Sequence, residues 1–274
     1  MLGATTDRSG ALPFLKWAGG KRWLIQNEQV EFPRNFNRYV EPFLGSGVVF
    51  FHLCPRRALL SDANPDLIAT YRAVKIDWRK VQRSLCRHQG LHDTKRYYRV
   101  RESVPSNPFS AAARFIYLNR TCWNGLYRVN HQGMFNVPIG TRNSVVFEDD
   151  DFGRIAAVLR GATLKHCDFE MAIDAAKSGD LVFADPPYTV KHNHNGFVRY
   201  NETIFSWADQ QRLATALIRA LHRGVSVVAT NANHPSVRAL YRSDFRLRTL
   251  SRNSSIAAVG AHRGSVTELL ITGT

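Results

Sequence analysis

The sequence has no apolar run that could cross a membrane. A membrane helix needs roughly 18 to 20 apolar residues, whereas the longest candidate runs, such as Val225 to Ala229, have the length of a strand. The N-terminal segment MLGATTDRSG also lacks the apolar core of a signal peptide. We therefore expect no membrane partner.

Cysteine is scarce, with four residues in a chain of 274. Cys54, Cys86, Cys122 and Cys167 form no CxxC pair, which excludes a disulfide scaffold and the common zinc motifs. Free cysteines are usually small packed side chains. We interpret these four in that way, in a reducing compartment, and we expect no metal site.

Acidic residues are outnumbered by basic ones. Lys and Arg number 37 against 22 Asp and Glu, the net charge is +15 and the pI is about 10.1. Between Arg72 and Arg101 ten basic residues accompany only two acids. Such a field attracts a polyanion, and we expect Lys95 and Arg99 in this segment to contact phosphates.

Apolar runs and helical patterns alternate in two parts of the chain. In the first part, strands at Tyr39-Val40 and Ala58–Leu60 enclose a helix at Val48–Leu53, and Asn64 with Pro65 has the pattern of a helix start. This order predicts an α/β fold, with a parallel sheet and helices on both of its faces.

The alternation resumes after residue 160. Further strands are predicted at Thr163–His166, Leu181–Ala184, Val225–Ala229 and Val266–Ile271. A helix with a capping box at Ser206 and Asp209 is predicted to end near Gly224. Residues 71–160 break the alternation and are interpreted as an inserted domain, which leaves residues 1–70 and 161–274 for the sheet-bearing domain.

Two glycines lie between the first strand and its helix, within EPFLGSG at residues 41–47. Gly45 and Gly47 let the backbone turn tightly and approach a ligand. Asp62 ends the next strand, 21 residues after Glu41, where a carboxylate accepts hydrogen bonds from ribose hydroxyls. Together these residues indicate a cofactor that contains adenosine.

The sequence Asp185-Pro186-Pro187-Tyr188 follows a predicted strand directly. Proline restricts its own backbone and that of the residue before it, so the Asp185 carboxylate and the Pro186 carbonyl are held rigidly. Two fixed acceptors could grip the two hydrogens of an exocyclic amine, and Tyr188 could stack on the attached ring.

This arrangement suits the methylation of an aromatic amine. The nitrogen lone pair is delocalised into the ring, so the amine attacks a methyl group only if it is drawn toward tetrahedral geometry and its developing charge is stabilised. The motif alone does not distinguish adenine N6 from cytosine N4, or DNA from RNA. Cofactor and acceptor motifs both argue against a DNA-binding regulator without catalysis, which remains a third alternative.

Four motifs in this order resemble the DNA adenine-N6 methyltransferases of the Dam type, the alpha group in motif order. They are PFLKWAGGK at 13–21, EPFLGSG at 41–47, SDANPD at 61–66 and DPPY at 185–188. The resemblance implies a Rossmann-like methyltransferase sheet with an inserted, mainly helical DNA-recognition domain that carries a β-hairpin. It also implies transfer of methyl from S-adenosylmethionine to adenine N6 in duplex DNA, with the base flipped out of the helix.

The resemblance also implies roles for individual residues. Those assigned to the cofactor pocket are Trp17, Lys21, Phe43, Gly45 and Gly47, and Glu41 in the same loop is counted with them. Asp62 would bind the ribose, and Asp168 with Phe169 would lie near the cofactor's adenine. Asp185 would be catalytic at the border of the cofactor pocket, and Tyr188 would stack on the flipped base.

A β-hairpin is predicted from Trp123 to Pro138, with its turn through Gly133. The corresponding hairpin of the family enters DNA. By that likeness Arg128 would grip a guanine edge, and Lys16 resembles a second guanine reader. The other expected DNA contacts on this hairpin are Leu126 and Pro138 at a thymine methyl, Trp123 and Asn124 in the gap left by the flipped base, and Asn130.

The expected recognition site is GATC or a related sequence. The loop from Thr189 to Phe205, rich in His and Asn, departs from the serine-rich version of the best-known GATC enzymes, which leaves the site open. We expect double-stranded DNA as the partner, and a monomer or weak dimer in the cytoplasm, associated with the nucleoid.

Overall fold

The computed structural model describes residues 10–17, 19–28, 30–125, 127–130, 132–189, 205–253 and 265–274. Its helices are α1 (Arg22–Ile25), α2 (Val48–Leu53), α3 (Pro65–Gly90), α4 (Thr94–Glu102), α5 (Pro108–Thr121), α6 (Phe152–Leu159), α7 (Phe169–Asp174), α8 (Trp207–His222) and α9 (Pro235–Tyr241). Its strands are β1 (Tyr39–Glu41), β2 (Ala58–Asp62), β3 (Ala162–His166), β4 (Leu181–Ala184), β5 (Ser226–Ala232), β6 (Arg246–Asn253) and β7 (Ser265–Gly273). None of the described helices has the length and apolar character that a bilayer crossing requires.

The chain divides into two compact units. Unit 1 comprises Met1–Ile25, Leu44–Arg56 and Asn64–His166. Unit 2 comprises Gln26–Phe43, Arg57–Ala63 and Cys167–Thr274. The predicted boundary at residue 70 falls inside α3, and the assignment of residues 71–160 to DNA recognition stays a prediction.

Six strands of unit 2 form a mixed sheet in the order β2-β1-β4-β5-β7-β6. The pairs β1–β2, β1–β4 and β4–β5 are parallel, and β7 lies antiparallel between β5 and β6. The order of the strands reverses between β1 and β4, where Val40 is in register with Val182. In α/β sheets, ligands bind outside the carboxyl ends of the strands at such a reversal.

The core of unit 2 is apolar on the strands and on the helices that cover them. Val40, Val182 and Val227 from the sheet are buried together with Leu213 and Leu217 from α8. Strands buried in this way carry continuous apolar runs, which explains why β4 begins and ends where the sequence predicts. The α/β fold class is confirmed, but the expectation of a parallel sheet is wrong for β7, which pairs antiparallel with β5 and β6.

Helix α8 begins at the predicted capping box. The backbone N–H of Asp209 donates to Ser206 Oγ at 3.1 Å, and that of Ser206 donates to Asp209 Oδ2 at 2.9 Å. The helix ends at its C-cap, Arg223, and Gly224 follows with φ of 79°, a backbone conformation that favours glycine.

In unit 1 the long helix α3 starts as predicted, because Asn64 Oδ1 accepts a hydrogen bond from the N–H of Leu67 at 3.1 Å. The helix is interrupted at Asp77, whose φ of −152° and ψ of 81° are not helical. It packs against α5 and α6. Helix α5 carries Arg120, whose fully buried guanidinium pairs with Asp150 at 2.5 Å.

Three expectations about local structure need correction. Strand β5 extends to Ala232, beyond the predicted end at Ala229. Strand β6 was not predicted, because its alternating Arg and Leu residues carry no continuous apolar run. The interpretation of the cysteines as packed side chains holds for Cys122, which is buried, and is wrong for Cys86, which is exposed on α3.

Candidate active site

Three acidic residues stand at the carboxyl ends of neighbouring strands in unit 2. Glu41 ends β1, Asp62 ends β2, and Asp185 follows the last residue of β4. The three strands are parallel neighbours, so these ends lie on one edge of the sheet, at the reversal of strand order. The structure therefore brings the predicted ribose ligand and the predicted catalytic carboxylate to the same edge.

Asp185 is held by a hydroxyl from the adjacent strand. The side chain of Thr230, fully buried on β5, donates a hydrogen bond from Oγ1 to Asp185 Oδ1 at 2.7 Å. The parallel register that pairs Ala184 with Ala229 brings these two residues side by side. Pro186 keeps the backbone of Asp185 extended. The Asp185 carboxylate is consequently oriented by the hydrogen bond from Thr230 and by the restricted backbone of Asp185.

Tyr188 is anchored by a buried acid. Its hydroxyl donates to Glu268 Oε2 at 2.5 Å, and the Glu268 residue is only 2% exposed on β7. Burial, and then the negative charges of Asp185 and Glu268, raise the pKa of Tyr188 well above its usual value. Tyr188 therefore stays protonated and keeps its hydrogen bond at physiological pH.

The Pro187 carbonyl is also occupied by the protein. Gln210 Nε2 donates to this oxygen at 3.2 Å, and Asn231 Nδ2 donates to Gln210 Oε1 at 2.9 Å. Gln210 and Asn231 are both buried. The DPPY segment is therefore fastened at its acid, at its second proline and at its tyrosine.

An aromatic group lies next to this edge in unit 2. The rings of Phe43 and Phe169 stack with their centroids 5.4 Å apart, and Phe205 packs against both at 5.6 and 5.5 Å. Asp168 Oδ1 accepts hydrogen bonds from the Glu170 N–H and from Arg212 Nη2, each at 2.9 Å. The Asp168 side chain thus caps α7, besides its predicted place near the cofactor's adenine.

Glu41 is almost fully buried, with 3% of the residue exposed. Its Oε2 accepts a hydrogen bond from the Tyr39 hydroxyl at 3.0 Å. Burial, followed by the charge of Glu41 and this hydrogen bond, raises the pKa of Tyr39 well above its usual value. The acid at the end of β1 is thus built into the protein, in addition to its expected role beside the cofactor.

The glycine loop and its neighbours belong to unit 1. Gly45 and Gly47 have φ of 47° and 64°, in the left-handed region that favours glycine. A Cβ on Gly45 would lie 2.7 Å from Trp17 Cδ1, so the indole packs directly on this backbone. Lys21 is 5% exposed, and its Nζ donates to the Gly19 carbonyl at 3.1 Å. Three predicted cofactor residues, Trp17, Gly45 and Lys21, are thus placed in one unit.

The predicted hairpin is present between residues 127 and 138, described except for His131. The Asn130 N–H donates to the Met134 carbonyl at 2.8 Å, and the Asn136 N–H donates to the Arg128 carbonyl at 3.2 Å. Residues 123–125 form a 3₁₀ turn instead of extended strand, but the Trp123 N–H donates to the Pro138 carbonyl at 3.0 Å, so the two arms do pair at the predicted ends of the hairpin. Asn124 adopts φ of 56° within that turn, which breaks any extended run.

Several expected DNA contacts lie at the surface of unit 1. Arg128 is exposed, and its Nε donates to Asn136 Oδ1 at 2.9 Å, which holds the side chain along the hairpin. Trp123 is 52% exposed. Others that are exposed are Asn124, Pro138, Lys95 and Arg99, whereas Asn130 is partly buried and its side chain accepts from the N–H groups of Gln132 and Met134. Leu126 lies outside the described residues.

Lys16, the second predicted guanine reader, is held at its backbone. Its N–H donates to Asn119 Oδ1 at 2.9 Å, and its carbonyl accepts from Asn119 Nδ2 at 2.8 Å. Partial burial, followed by the positive charge of Arg142, lowers the pKa of Lys16. Its ammonium lies 5.8 Å from the centre of the Phe147 ring.

One histidine pair has a spacing that the sequence reasoning overlooked. His88 and His92 are four residues apart, as helical metal ligands often are. In the structure His88 stacks on Tyr117 with ring centroids 4.8 Å apart, and His92 Nδ1 lies 2.8 Å from the Tyr117 hydroxyl. Among the residues that the structure describes, no three His, Cys, Asp or Glu side chains are grouped to hold a metal.

The supporting residues around DPPY were also missed. Thr230 and Asn231 are polar residues at the end of a buried apolar run, and Glu268 is a single acid within the apolar strand β7. A charged or polar side chain inside a predicted buried strand needs a partner. That signal could have pointed to these positions, although it would not have identified the partners.

The order of the strands is consistent with a Rossmann-like methyltransferase fold. Residues 17–256 match the family described as D12 class N6 adenine-specific DNA methyltransferase. The chain belongs to this family, and it is an adenine-specific DNA methyltransferase. The resemblance stated from the sequence is confirmed.

Individual relatives agree with this assignment over most of their length. The chain is 34% identical to "Type II methyltransferase M1.LlaDCHI" of Lactococcus lactis subsp. cremoris, covering 95% of this chain and 94% of the relative. It is 31% identical to "Type II methyltransferase M.MjaIII" of Methanocaldococcus jannaschii, with coverage of 94% and 98%. It is 32% identical to a "DNA adenine methylase" of Vibrio cholerae, with coverage of 94% of each chain.

A solved structure described as precorrin 8W decarboxylase, from Methanobacterium thermoautotrophicum, covers 98% of each chain with a TM-score of 0.40 and 13% identity.

Proposed function

We propose that this enzyme transfers the methyl group of S-adenosylmethionine to N6 of an adenine that is flipped out of duplex DNA, at GATC or a related site. The observation that carries the proposal is the Asp185 carboxylate, oriented at the tip of β4 by Thr230. A preorganised acceptor at the point where charge develops is the largest single contribution in many enzymes.

The residues at the sheet edge fit a nucleoside cofactor. Asp62 can accept hydrogen bonds from ribose hydroxyls, and the stacked rings of Phe43 and Phe169 offer apolar surface to an adenine. The Gly45 backbone and the Trp17 indole are in contact within unit 1, and we propose that both also bind the cofactor. When bound, S-adenosylmethionine would supply an electrophilic methyl group.

Asp185 and Pro186 act on the amine. The carboxylate and the Pro186 carbonyl each accept a hydrogen bond from one of the two N6–H groups. These hydrogen bonds draw the nitrogen out of conjugation and stabilise its developing positive charge. Transfer of the methyl group would break the C–S bond of the donor as the N–C bond forms, and Asp185 would pass the surplus N6 proton to water. Tyr188, fixed by Glu268, stacks on the adenine ring.

The surface residues of unit 1 are proposed to hold DNA. Arg128 and Lys16 would read guanines, and Lys95 and Arg99 would neutralise phosphates. The exposed Trp123, with Asn124, Asn130, Pro138 and Leu126, would contact the bases around the extruded adenine, which cannot reach the methyl donor inside the duplex. We propose that the enzyme acts as a monomer or weak dimer.

The test is a methylome. The chain is expressed in a methylation-deficient bacterial host, the DNA is digested to nucleosides, and the modified sites are read by single-molecule sequencing. We expect N6-methyladenine at one short recognition sequence. Only N4-methylcytosine, or no modified base at all, would overturn the proposal.

Variants test the proposed chemistry. Replacing Asp185 by Ala should lower turnover by about 10² to 10³, as does the loss of one preorganised group in other enzymes. Thr230→Val should lower kcat less, and Thr230→Ser should keep most of it, since only the hydroxyl is needed. The matched control is Asp149→Asn, an exposed carboxylate in unit 1, which should leave turnover unchanged.

A further inference from the structure

Trp17 and Tyr127 stack on each other in unit 1. Their ring centroids are 5.9 Å apart, and the ring planes are inclined by 19°. Trp17 is a proposed cofactor residue, and Tyr127 is directly followed by Arg128, the proposed base reader. The stack therefore joins a residue of the cofactor pocket to the first residue of the hairpin.

The same indole is in contact with the glycine loop. A Cβ placed on Gly45 would approach Trp17 Cδ1 to 2.7 Å and Nε1 to 3.1 Å. The carbonyl of Gly45 accepts a hydrogen bond from the Tyr71 hydroxyl at 3.1 Å. A shift of the indole would therefore move both the glycine loop and Tyr127.

Tyr127 is fixed from two further sides. Its hydroxyl donates to Asp66 Oδ2 at 2.8 Å, and its ring packs on Phe115 and Phe135 with centroids 4.8 and 5.6 Å away. Burial and the charge of Asp66 raise the pKa of Tyr127 above its usual value, so the hydroxyl remains a donor. Phe135 belongs to the returning strand of the hairpin, opposite Val129.

A second connection joins the same two segments. The fully buried side chain of Asn119 holds both backbone groups of Lys16, at 2.9 and 2.8 Å, and its Nδ2 also donates to the Gly125 carbonyl at 3.4 Å. Lys16 is thus linked to Gly125 through the Asn119 amide, and Trp17 is linked to Tyr127 through the ring stack.

We propose that Tyr127 is a positioning residue that couples occupancy of the cofactor pocket to the reading of DNA by the hairpin. This inference rests on the proposed function, because it takes Trp17 as a cofactor residue and Arg128 as a base reader. Coupling between two ligands is reciprocal, so each must tighten the binding of the other by the same factor.

The experiment measures that factor directly. The dissociation constant of S-adenosylhomocysteine is determined by calorimetry with and without a duplex that carries the recognition sequence found in the methylome. The dissociation constant of the duplex is then determined with and without S-adenosylhomocysteine. For the wild-type chain we expect a coupling factor within the usual range of about 5- to 150-fold. For Tyr127→Leu, which loses the ring, we expect a factor close to one.

Two variants and one control separate coupling from general damage. Tyr127→Phe keeps the ring on Trp17 and should keep most of the factor, which also serves if the Leu variant does not fold. Phe109→Leu removes another partly buried ring of unit 1, one that lies under Lys80, and should leave the factor unchanged. If Tyr127 had a purely structural role, Tyr127→Leu would weaken the binding of both ligands and leave the coupling factor as in the wild type.

The outcomes distinguish the inference from the function on which it rests. A full coupling factor in Tyr127→Leu, or a wild-type enzyme that methylates DNA with no coupling, would overturn the inference and leave the methyltransferase assignment intact. Loss of the factor in Tyr127→Phe would also contradict it, because the ring would then not be the link. Failure of the wild type to bind either ligand would refute the proposed function itself.

Discussion

The hydroxyl of Tyr188 donates a hydrogen bond to Glu268 Oε2 at 2.5 Å, and this bond ties the DPPY segment to strand β7. Glu268 is opposite Ala232 in the antiparallel pairing of β5 and β7. Strand β5 also supplies Thr230, which holds Asp185. Strands β5 and β7 therefore orient two side chains of the proposed catalytic motif.

Replacing Glu268 by Leu should impair catalysis by misplacing Tyr188. A buried donor left without its acceptor costs about 1–3 kcal/mol, or roughly 5- to 150-fold in kcat/KM if the cost falls on the productive geometry. Glu268→Gln retains an acceptor oxygen and should lose less. The measurement is methylation kinetics together with the fluorescence of 2-aminopurine at the target position, which reports the extruded base.

The double variant Tyr188→Phe/Glu268→Leu serves as the control for that experiment. It removes donor and acceptor together, so it should be more active than the sum of the two single losses predicts. Strict additivity would show that the two side chains act independently, against the positioning role.

Arg128 and Lys95 should differ in the kind of binding they supply. Arg128→Ala should relax the choice of one base at a cost of about 1–3 kcal/mol, whereas Lys95→Ala should weaken all duplexes alike and reduce the slope of log K against log salt by about 0.9. Competition binding with singly substituted duplexes over a range of salt concentrations checks both. If Arg128→Ala still discriminated between bases as the wild type does, the proposal that Arg128 of the hairpin reads a base would be wrong.

The ion pair of Arg120 and Asp150 should matter for stability. Both guanidinium Nη atoms bond to the carboxylate, at 2.5 and 2.6 Å, and Arg120 also donates to the Phe14 carbonyl. Removing one partner of a buried pair leaves an uncompensated charge and costs about 3–5 kcal/mol, so Asp150→Asn should lower the free energy of unfolding in urea by an amount of this order.

An exposed pair provides the comparison. Asp174 and Arg219 are 2.8 Å apart with side chains 42% and 40% exposed. Such pairs contribute about 0–1 kcal/mol, and Asp174→Asn should shift the urea midpoint little. Equal effects of the two substitutions would contradict the view that burial sets the cost.

The stability of the enzyme should fall in mild acid because of His88. Burial, followed by the positive charges of Arg96 and Arg87, lowers the pKa of His88 from 6.5 to about 4. Between these values the unfolded chain binds a proton that the folded chain does not, so the free energy of unfolding decreases as the pH falls from about 6.5 toward about 4. Above about pH 6.5 His88 is neutral in both the folded and the unfolded chain, so it no longer lowers the free energy of unfolding.

Urea titrations at several pH values measure this dependence. His88→Phe should flatten the dependence relative to the wild type, because the ring that stacks on Tyr117 is retained and the titrating group is lost. His166→Asn changes an exposed histidine and should leave the slope as it is. An equal slope in wild type and His88→Phe would show that other groups cause the acid effect.

The sequence predicted those parts of the fold that depend on local pattern. Strand β4 was predicted with its bounds, because a run of buried apolar residues is enclosed by Asp180 and by the prolines that follow it. The start of α8 was predicted because Ser206 and Asp209 satisfy each other within one turn. Strand β6 is the last strand at one side of the sheet, and it was missed because its sequence has no continuous apolar run.

The supporting contacts of the site depend on register, which local pattern does not contain. Thr230 meets Asp185 only because β5 pairs with β4 in one particular alignment. Asn119 meets Lys16 across more than a hundred residues of chain. The sequence therefore predicted the candidate catalytic side chains, and the structure supplied the residues that orient them.

The contact between Trp17 and Gly45 also limits how the two positions can change during evolution. Any side chain at Gly45 would collide with the indole, so the aromatic residue would first have to give way to a smaller one. A lineage that took these steps in the reverse order would pass through an enzyme with a displaced tryptophan. Packing against Trp17 would therefore favour glycine at position 45 even in a chain that no longer bound the ligand.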